Sequence, residues 1–86
     1  MAMTERQLIQ EILNTVDLIY TFEDVDEDAS EYTILVTQQD GDRRSLETVN
    51  SEMKHYFQEA NFDYKEELHP TNATTAADIR VVIKRN

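Results

Sequence analysis

Six carboxylates crowd one short stretch of this chain, Glu23, Asp24, Asp26, Glu27, Asp28 and Glu31, and two more, Asp40 and Asp42, follow beyond it. Carboxylates at such spacing can do three kinds of chemistry. They can coordinate a hard cation, divide acid and base roles within a pair, or present fixed negative charge to a cationic partner. The calcium reading is tested by Asp24-x-Asp26-x-Asp28, which matches the first three ligand positions of an EF-hand loop. The sixth position would then be Ala29, where the loop needs Gly for its sharp turn, and the twelfth would be Leu35, where it needs a bidentate Glu. Weak adventitious binding of divalent ions is expected, and no dedicated metal site. An acid/base pair of the glycosidase kind needs a cleft to set two pKa values apart, and a small chain with 1 Gly has little to build one from.

Other catalytic chemistry finds few residues. His55 and His69 are the only imidazoles and there is no Cys, which removes disulfide, thiolate and Cys-based metal chemistry. No Gly-rich phosphate loop, nucleophile elbow or His/Glu metal motif accompanies them. His55 falls beside the apolar face of a predicted helix and His69 precedes Pro70 in a predicted loop, where ordinary surface histidines are the simpler reading. The chain is therefore expected to be no enzyme and to carry no cofactor.

Fixed charge is the reading that remains. Residues 7–42, between Arg6 and Arg43, hold ten acids and no Lys or Arg, so the whole formal charge of −10 sits in that block and the remainder is neutral. Acidity needed only for solubility would be spread over the surface, whereas a block aims a field at a cationic partner. In an extended segment, residues two apart project to the same side at about 6.6–6.8 Å, near the spacing of successive phosphates, so Asp24, Asp26 and Asp28 can imitate a nucleic acid backbone. A groove built from Lys and Arg to grip phosphates would accept such a row, with strong salt dependence. Two plainer readings stand beside this one: a solvated loop, and a surface adapted to high salt, to which 5 Arg against 3 Lys gives slight support and against which the neutral remainder argues. Strong acidity disfavours direct binding to nucleic acid or anionic lipid.

The elements that must position these residues follow from periodicity. Thr4-x-x-Gln7 has the form of a capping box, and Leu8, Ile9, Ile12, Leu13 and Val16 make one apolar stripe, which predicts a helix over 5–16. Leu18, Tyr20 and Phe22 alternate with more polar neighbours and predict a strand over 17–23. The acidic residues after it are expected to form a solvated connection to the strongest strand, Tyr32 to Gln38. Asp40-Gly41 is the favoured chemistry of a two-residue type I′ hairpin, so a short strand over 42–45 should return antiparallel. Ser45 can cap a second helix whose Leu46, Val49, Met53, Tyr56, Phe57 and Ala60 share a face, with Asn61 as a left-handed stop and Phe62 packing back. Residues 62–68 are weakly strand-like, 69–75 read as a loop, and 78–85 close as a strand in which Ile79, Val81 and Ile83 face one way.

The expected fold is a small single α+β domain over residues 1–86, in the order α-β-β-β-α-β-β, with one antiparallel sheet covered on one face by two helices. Residues 1–3 are expected to lie outside it as a disordered or cloning-derived extension. No internal repeat is visible. With no run of roughly 18–20 apolar residues and no signal-peptide layout, cytoplasmic residence is the default, with no membrane contact.

This layout resembles the small acidic phage-encoded anti-CRISPR proteins that inhibit a CRISPR nuclease by imitating DNA. The stripe Leu8 to Val16, the strand Tyr32 to Gln38, the turn Gln39-Asp40-Gly41-Asp42 and the helix Leu46 to Ala60 carry the resemblance. It departs at the C-terminal end, where the acidic helical segment of that class is replaced by Phe62-Asp63-Tyr64-Lys65 and a basic-tipped strand. The resemblance implies a DNA-mimic inhibitor whose partner is a basic, nucleic-acid-handling enzyme or regulator. Glu23, Asp24, Asp26, Glu27, Asp28 and Glu31 would supply the central charge, Asp40 and Asp42 would extend it, and Tyr20 or Tyr32 could anchor the rim if not buried. The alternative is a structural or assembly protein of phage or bacterial origin that uses its sheet edge or helix faces. A homodimer paired through Ile79, Val81 and Ile83 on an edge strand is a further reading.

Overall fold

The computed structural model describes residues 3–71 and 76–85. Thr4 opens α1 (Glu5–Thr15) with the expected capping box: the Gln7 amide donates to Thr4 Oγ1 at 3.1 Å and the Thr4 amide donates to Gln7 Oε1 at 3.0 Å. Ile9, Ile12 and Leu13 bury its inner face, and Asp17, at φ 64°, turns the chain after two residues into β1 (Leu18–Asp26). A tight turn returns it as β2 (Glu31–Gln38). Ser45 Oγ then accepts the Thr48 amide at 3.1 Å and starts α2 (Leu46–Glu59), whose Val49, Met53 and Phe57 are fully buried. Asn61, at φ 68°, ends it and leads into β3 (Phe62–Leu68), and β4 (Ile79–Arg85) follows.

All strand pairs are antiparallel and the sheet order is β1-β2-β4-β3. Period-2 alternation sends Leu18, Tyr32, Ile34, Val36, Phe62, Ile79, Val81 and Ile83 to one face, where they share a core with the buried residues of both helices. The predicted α+β class and its single helix-covered face are therefore correct. The other face carries no helix.

Three expectations about the elements need correction. No strand forms over 42–45. The Asp42 amide does bond the Gln39 carbonyl at 3.1 Å, but only Gly41 has a positive φ, at 85°, whereas a type I′ hairpin needs one at both central positions. The turn instead sends Arg44 inward. The acidic stretch is also not a loop from residue 24 onward, because β1 runs to Asp26 and only residues 27–30 form the turn. An edge strand can keep carboxylates exposed on its uncovered side, which periodicity alone did not show. Finally, Ile79, Val81 and Ile83 are not on an edge, since β4 pairs with β2 on one side and β3 on the other. The weak strand over 62–68 is real. The expectations for residues 1–2 and for 72–75 of the loop fall outside the described residues.

The chain also repeats in three dimensions where its sequence shows no repeat. Each half is a helix, a two-residue link ending in a left-handed residue, and an antiparallel strand pair. Ile9 matches Met53, Leu13 matches Phe57, Asp17 matches Asn61, Leu18 matches Phe62 and Tyr20 matches Tyr64. The registers agree as well, Tyr20 facing Val36 as Tyr64 faces Ile83. An approximate two-fold axis normal to the sheet, between β2 and β4, relates the halves. Apart from the tyrosine shared at 20 and 64, only apolar character and backbone sign recur at these positions, so the side chains themselves conceal the repeat.

Candidate functional site: the acidic β1–β2 hairpin

Two arginines sort the carboxylates of the acidic block. Arg80 on β4 bonds Glu23 through Nε to Oε1 at 2.9 Å and Nη2 to Oε2 at 3.3 Å, and reaches Glu67 on β3 through Nη1 at 2.9 Å. A bulge between Phe22 and Asp24 aims Glu23 at this guanidinium. Arg80 faces Leu35 in register, and Leu35 is 3% exposed although no helix covers that side of the sheet. The ion-paired rung thus crosses all four strands over a buried leucine. Paired carboxylates favour the charged guanidinium, Glu23 first, and raise its pKa further.

Arg44 organises the other end. Its Nη2 bonds Asp42 Oδ2 at 2.6 Å and the Val16 carbonyl at 2.8 Å, and its Nη1 bonds Glu52 Oε2 at 2.7 Å. The carbonyl at the end of α1, the turn after β2 and the flank of α2 meet at one side chain. Hydrogen bonds from the Arg44 side chain and then its backbone hold the Asp42 carboxyl down at about 2. Arg44 itself is raised, by Asp42 foremost.

Glu23 and Asp42 are thus ion-paired and mostly covered, at 14% and 11% exposed, and display less charge than the other acids named from sequence. Asp40 is exposed but sits past the far end of β2, an eight-residue strand, and so roughly 25 Å from the turn at 27–30. It does not extend the cluster. What the fold does bring together is Asp24, Asp26, Glu27, Asp28 and Glu31. Asp24 and Asp26 project from the uncovered face of β1, facing Thr33 and Glu31 in register. Asp26 Oδ1 also accepts the Ala29 amide at 3.1 Å and so closes the turn. Glu27 reaches Arg6 at only 4.0 Å with both side chains exposed, and Lys84 lies beside Glu31 across the β2–β4 pairing. Asp24, Asp28 and Glu31 make no ion pair among the described residues. No group of three or more His, Cys, Asp or Glu among the described residues could hold a metal ion.

The two tyrosines that could have anchored a contact if exposed are packed instead. Tyr32 is 2% exposed and donates its hydroxyl to Glu5 Oε1 at 3.0 Å; burial, then that bond, pushes its pKa up to about 12. Tyr20 is half-buried against Phe22. His55 is exposed and pairs with Glu59 at 3.3 Å, beside an open groove of about 590 Å³ between the end of α1 and α2. One feature was missed from sequence: Ile19, 54% exposed on the uncovered face of β1. The uncharged run Leu18 to Phe22 was its only signal.

Comparison of the chain with protein-family models, with curated proteins and with solved structures finds no match. Among the described residues, no helix is long and apolar enough to cross a membrane.

Proposed function

We propose that this is a non-enzymatic binding or inhibitor protein that sets the acidic β1–β2 hairpin into a basic groove of a nucleic-acid-handling protein. The observation that carries the reading is the selective pairing of charge. Arg80 and Arg44 take up Glu23, Glu67, Asp42 and Glu52, while Asp24, Asp28 and Glu31 are exposed at one corner with no ion pair among the described residues. Asp24 and Asp26 stand two apart on a strand, on one face, at the phosphate-like interval that mimicry of a nucleic acid strand requires. A rigid hairpin offers this charge already ordered, which lowers the entropy cost of binding.

The test is a pull-down from bacterial lysate with the intact protein, at low and about 0.5 M salt, beside the variant carrying Asp24→Asn, Asp26→Asn and Asp28→Asn. The expected result is a nucleic-acid-binding protein, recovered only at low salt, lost with the variant and displaced by duplex DNA. A partner retained through both changes would overturn the reading. A structural or assembly role is the second reading, and the open edge of β1 with exposed Ile19 is the observation that favours it.

A further inference from the structure

The two edges of the sheet are not alike. β3 carries Asp63, Lys65, Glu66 and Glu67 along its seven residues, and this mixed charge blunts it against pairing with another strand. β1 carries no charge and no Pro from Leu18 to Phe22, and its bulge and carboxylates begin only at Glu23. Its neighbour on one side is β2, and on the other no strand pairs with it among the described residues. Along these five residues of extended backbone, every second one turns its N–H and C=O away from β2. Ile19 and Thr21 stand exposed on the uncovered face beside them. This is the geometry in which a sheet accepts an added strand.

We propose that the open edge of β1 is a strand-addition site for an extended segment of a partner protein, antiparallel to β1, with β-branched residues along Leu18 to Phe22 and basic residues at its N-terminal end beside Asp24 and Asp26. Charge decides the occupant. A second copy would bring another formal charge of −10 to the same edge, whereas a basic segment is drawn to it. Direction follows from the sheet, which is antiparallel throughout, the arrangement slightly more stable per residue. The bulge limits the continuous ladder to the uncharged half and leaves the acidic half to contact side chains. The inference rests on the hairpin being a surface for cations, and adds how the partner's backbone is held.

The experiment uses the full protein and three labelled peptides of about nine residues. The first alternates Arg with Thr in its N-terminal half and Val with Thr in its C-terminal half. The other two have the same sequence with alternate backbone nitrogens methylated, offset from one another by one residue. Fluorescence anisotropy reads affinity and hydrogen exchange reads the amides of β1. The expected result is slowed exchange within Leu18 to Phe22 on binding. One methylated peptide should weaken about tenfold or more while its offset twin does not, because only one set of nitrogens faces β1. Asp24→Asn with Asp26→Asn should weaken the unmethylated peptide as well. Equal binding of all three peptides, lost in the Asn variant, would overturn strand addition and leave the acidic-surface reading standing. One-sided loss on methylation with indifference to the Asn variant and to salt would overturn the basic occupant and that reading together. Protection of Leu18 to Phe22 that rises with protein concentration alone would show a second copy there and overturn the proposal, as would no binding of any peptide.

Discussion

Arg80 and Glu23 meet across an intervening strand: the guanidinium starts on β4, passes over β2 and bonds a carboxylate on β1 at 2.9 Å. Both side chains are mostly covered, at 19% and 14% exposed. Removing Arg80 takes from the mostly covered Glu23 carboxylate the guanidinium that bonds both of its oxygens. Arg80→Met keeps an apolar stem near Leu35 but abandons Glu23, and should lower the urea midpoint. Adding Glu23→Gln to that background should recover part of the loss. A double-mutant cycle that finds the two changes additive would show no coupling between them.

Asp42 gives the fold a dependence on acid. Its carboxyl is lowered from 3.8 to about 2 by Arg44. A carboxyl depressed in the folded state contributes stability that is present above its unfolded value and lost as pH falls through its folded value. Asp42→Asn should therefore destabilise most above pH 3.8, and its gap from the unaltered protein should close as pH falls toward about 2. Chemical denaturation of both proteins across that range reads the effect, and a gap that widens in acid would contradict it.

Asp17 and Asn61 occupy equivalent left-handed positions after the two helices, at φ 64° and 68°. Gly is the residue with no steric penalty there. Asn61→Gly should raise stability by roughly 0.5–1 kcal/mol. Asp17→Gly should gain less, because it also loses the bond from Gln39 Nε2 to Asp17 Oδ1 at 2.9 Å. Thermal melts of both variants make the comparison.

Phe57 is fully buried between Phe62, edge-on at 5.7 Å, and Tyr64, stacked at 5.9 Å. Phe57→Ala should cost about 3–5 kcal/mol, a large share of what a chain of this size commands. Phe57→Leu should cost much less. Loss of the cooperative unfolding transition in the first variant and its retention in the second would bear this out, measured by circular dichroism.

Much of the fold was legible because its local signals agree. Thr4 and Ser45 cap the helices, the stripe through Ile9 and Leu13 buries α1, and Asn61 stops α2 as its residue type suggests. Where the reading failed, a distant partner decided. Residues 42–45 lack strand form because Arg44 turns in to reach the Val16 carbonyl. Tyr56 shares the periodic face of α2 yet is 40% exposed, since the stripe is wider than the core it meets. At the candidate site, composition picked out the acids, and only the structure separated Glu23 and Asp42, held by arginines, and the distant Asp40 from the five gathered at the turn. Pairing across three strands leaves no trace in local sequence.

The approximate two-fold axis has a kinetic consequence. Within each half, the helix and strand pair join residues close in the chain, and such contacts form quickly. The seam between halves joins Glu31 with Lys84 and Val36 with Ile79, and it must close a long loop before any of its hydrogen bonds compensates. The helix and strands of each half bury their apolar faces in one core shared with the other half, so neither half completes its burial alone. Docking of β2 against β4 is therefore the expected barrier to folding. Val81→Ala, in the seam, should slow refolding, while Phe22→Leu, at the outer strand, should chiefly quicken unfolding, and the two arms of a chevron plot would tell them apart.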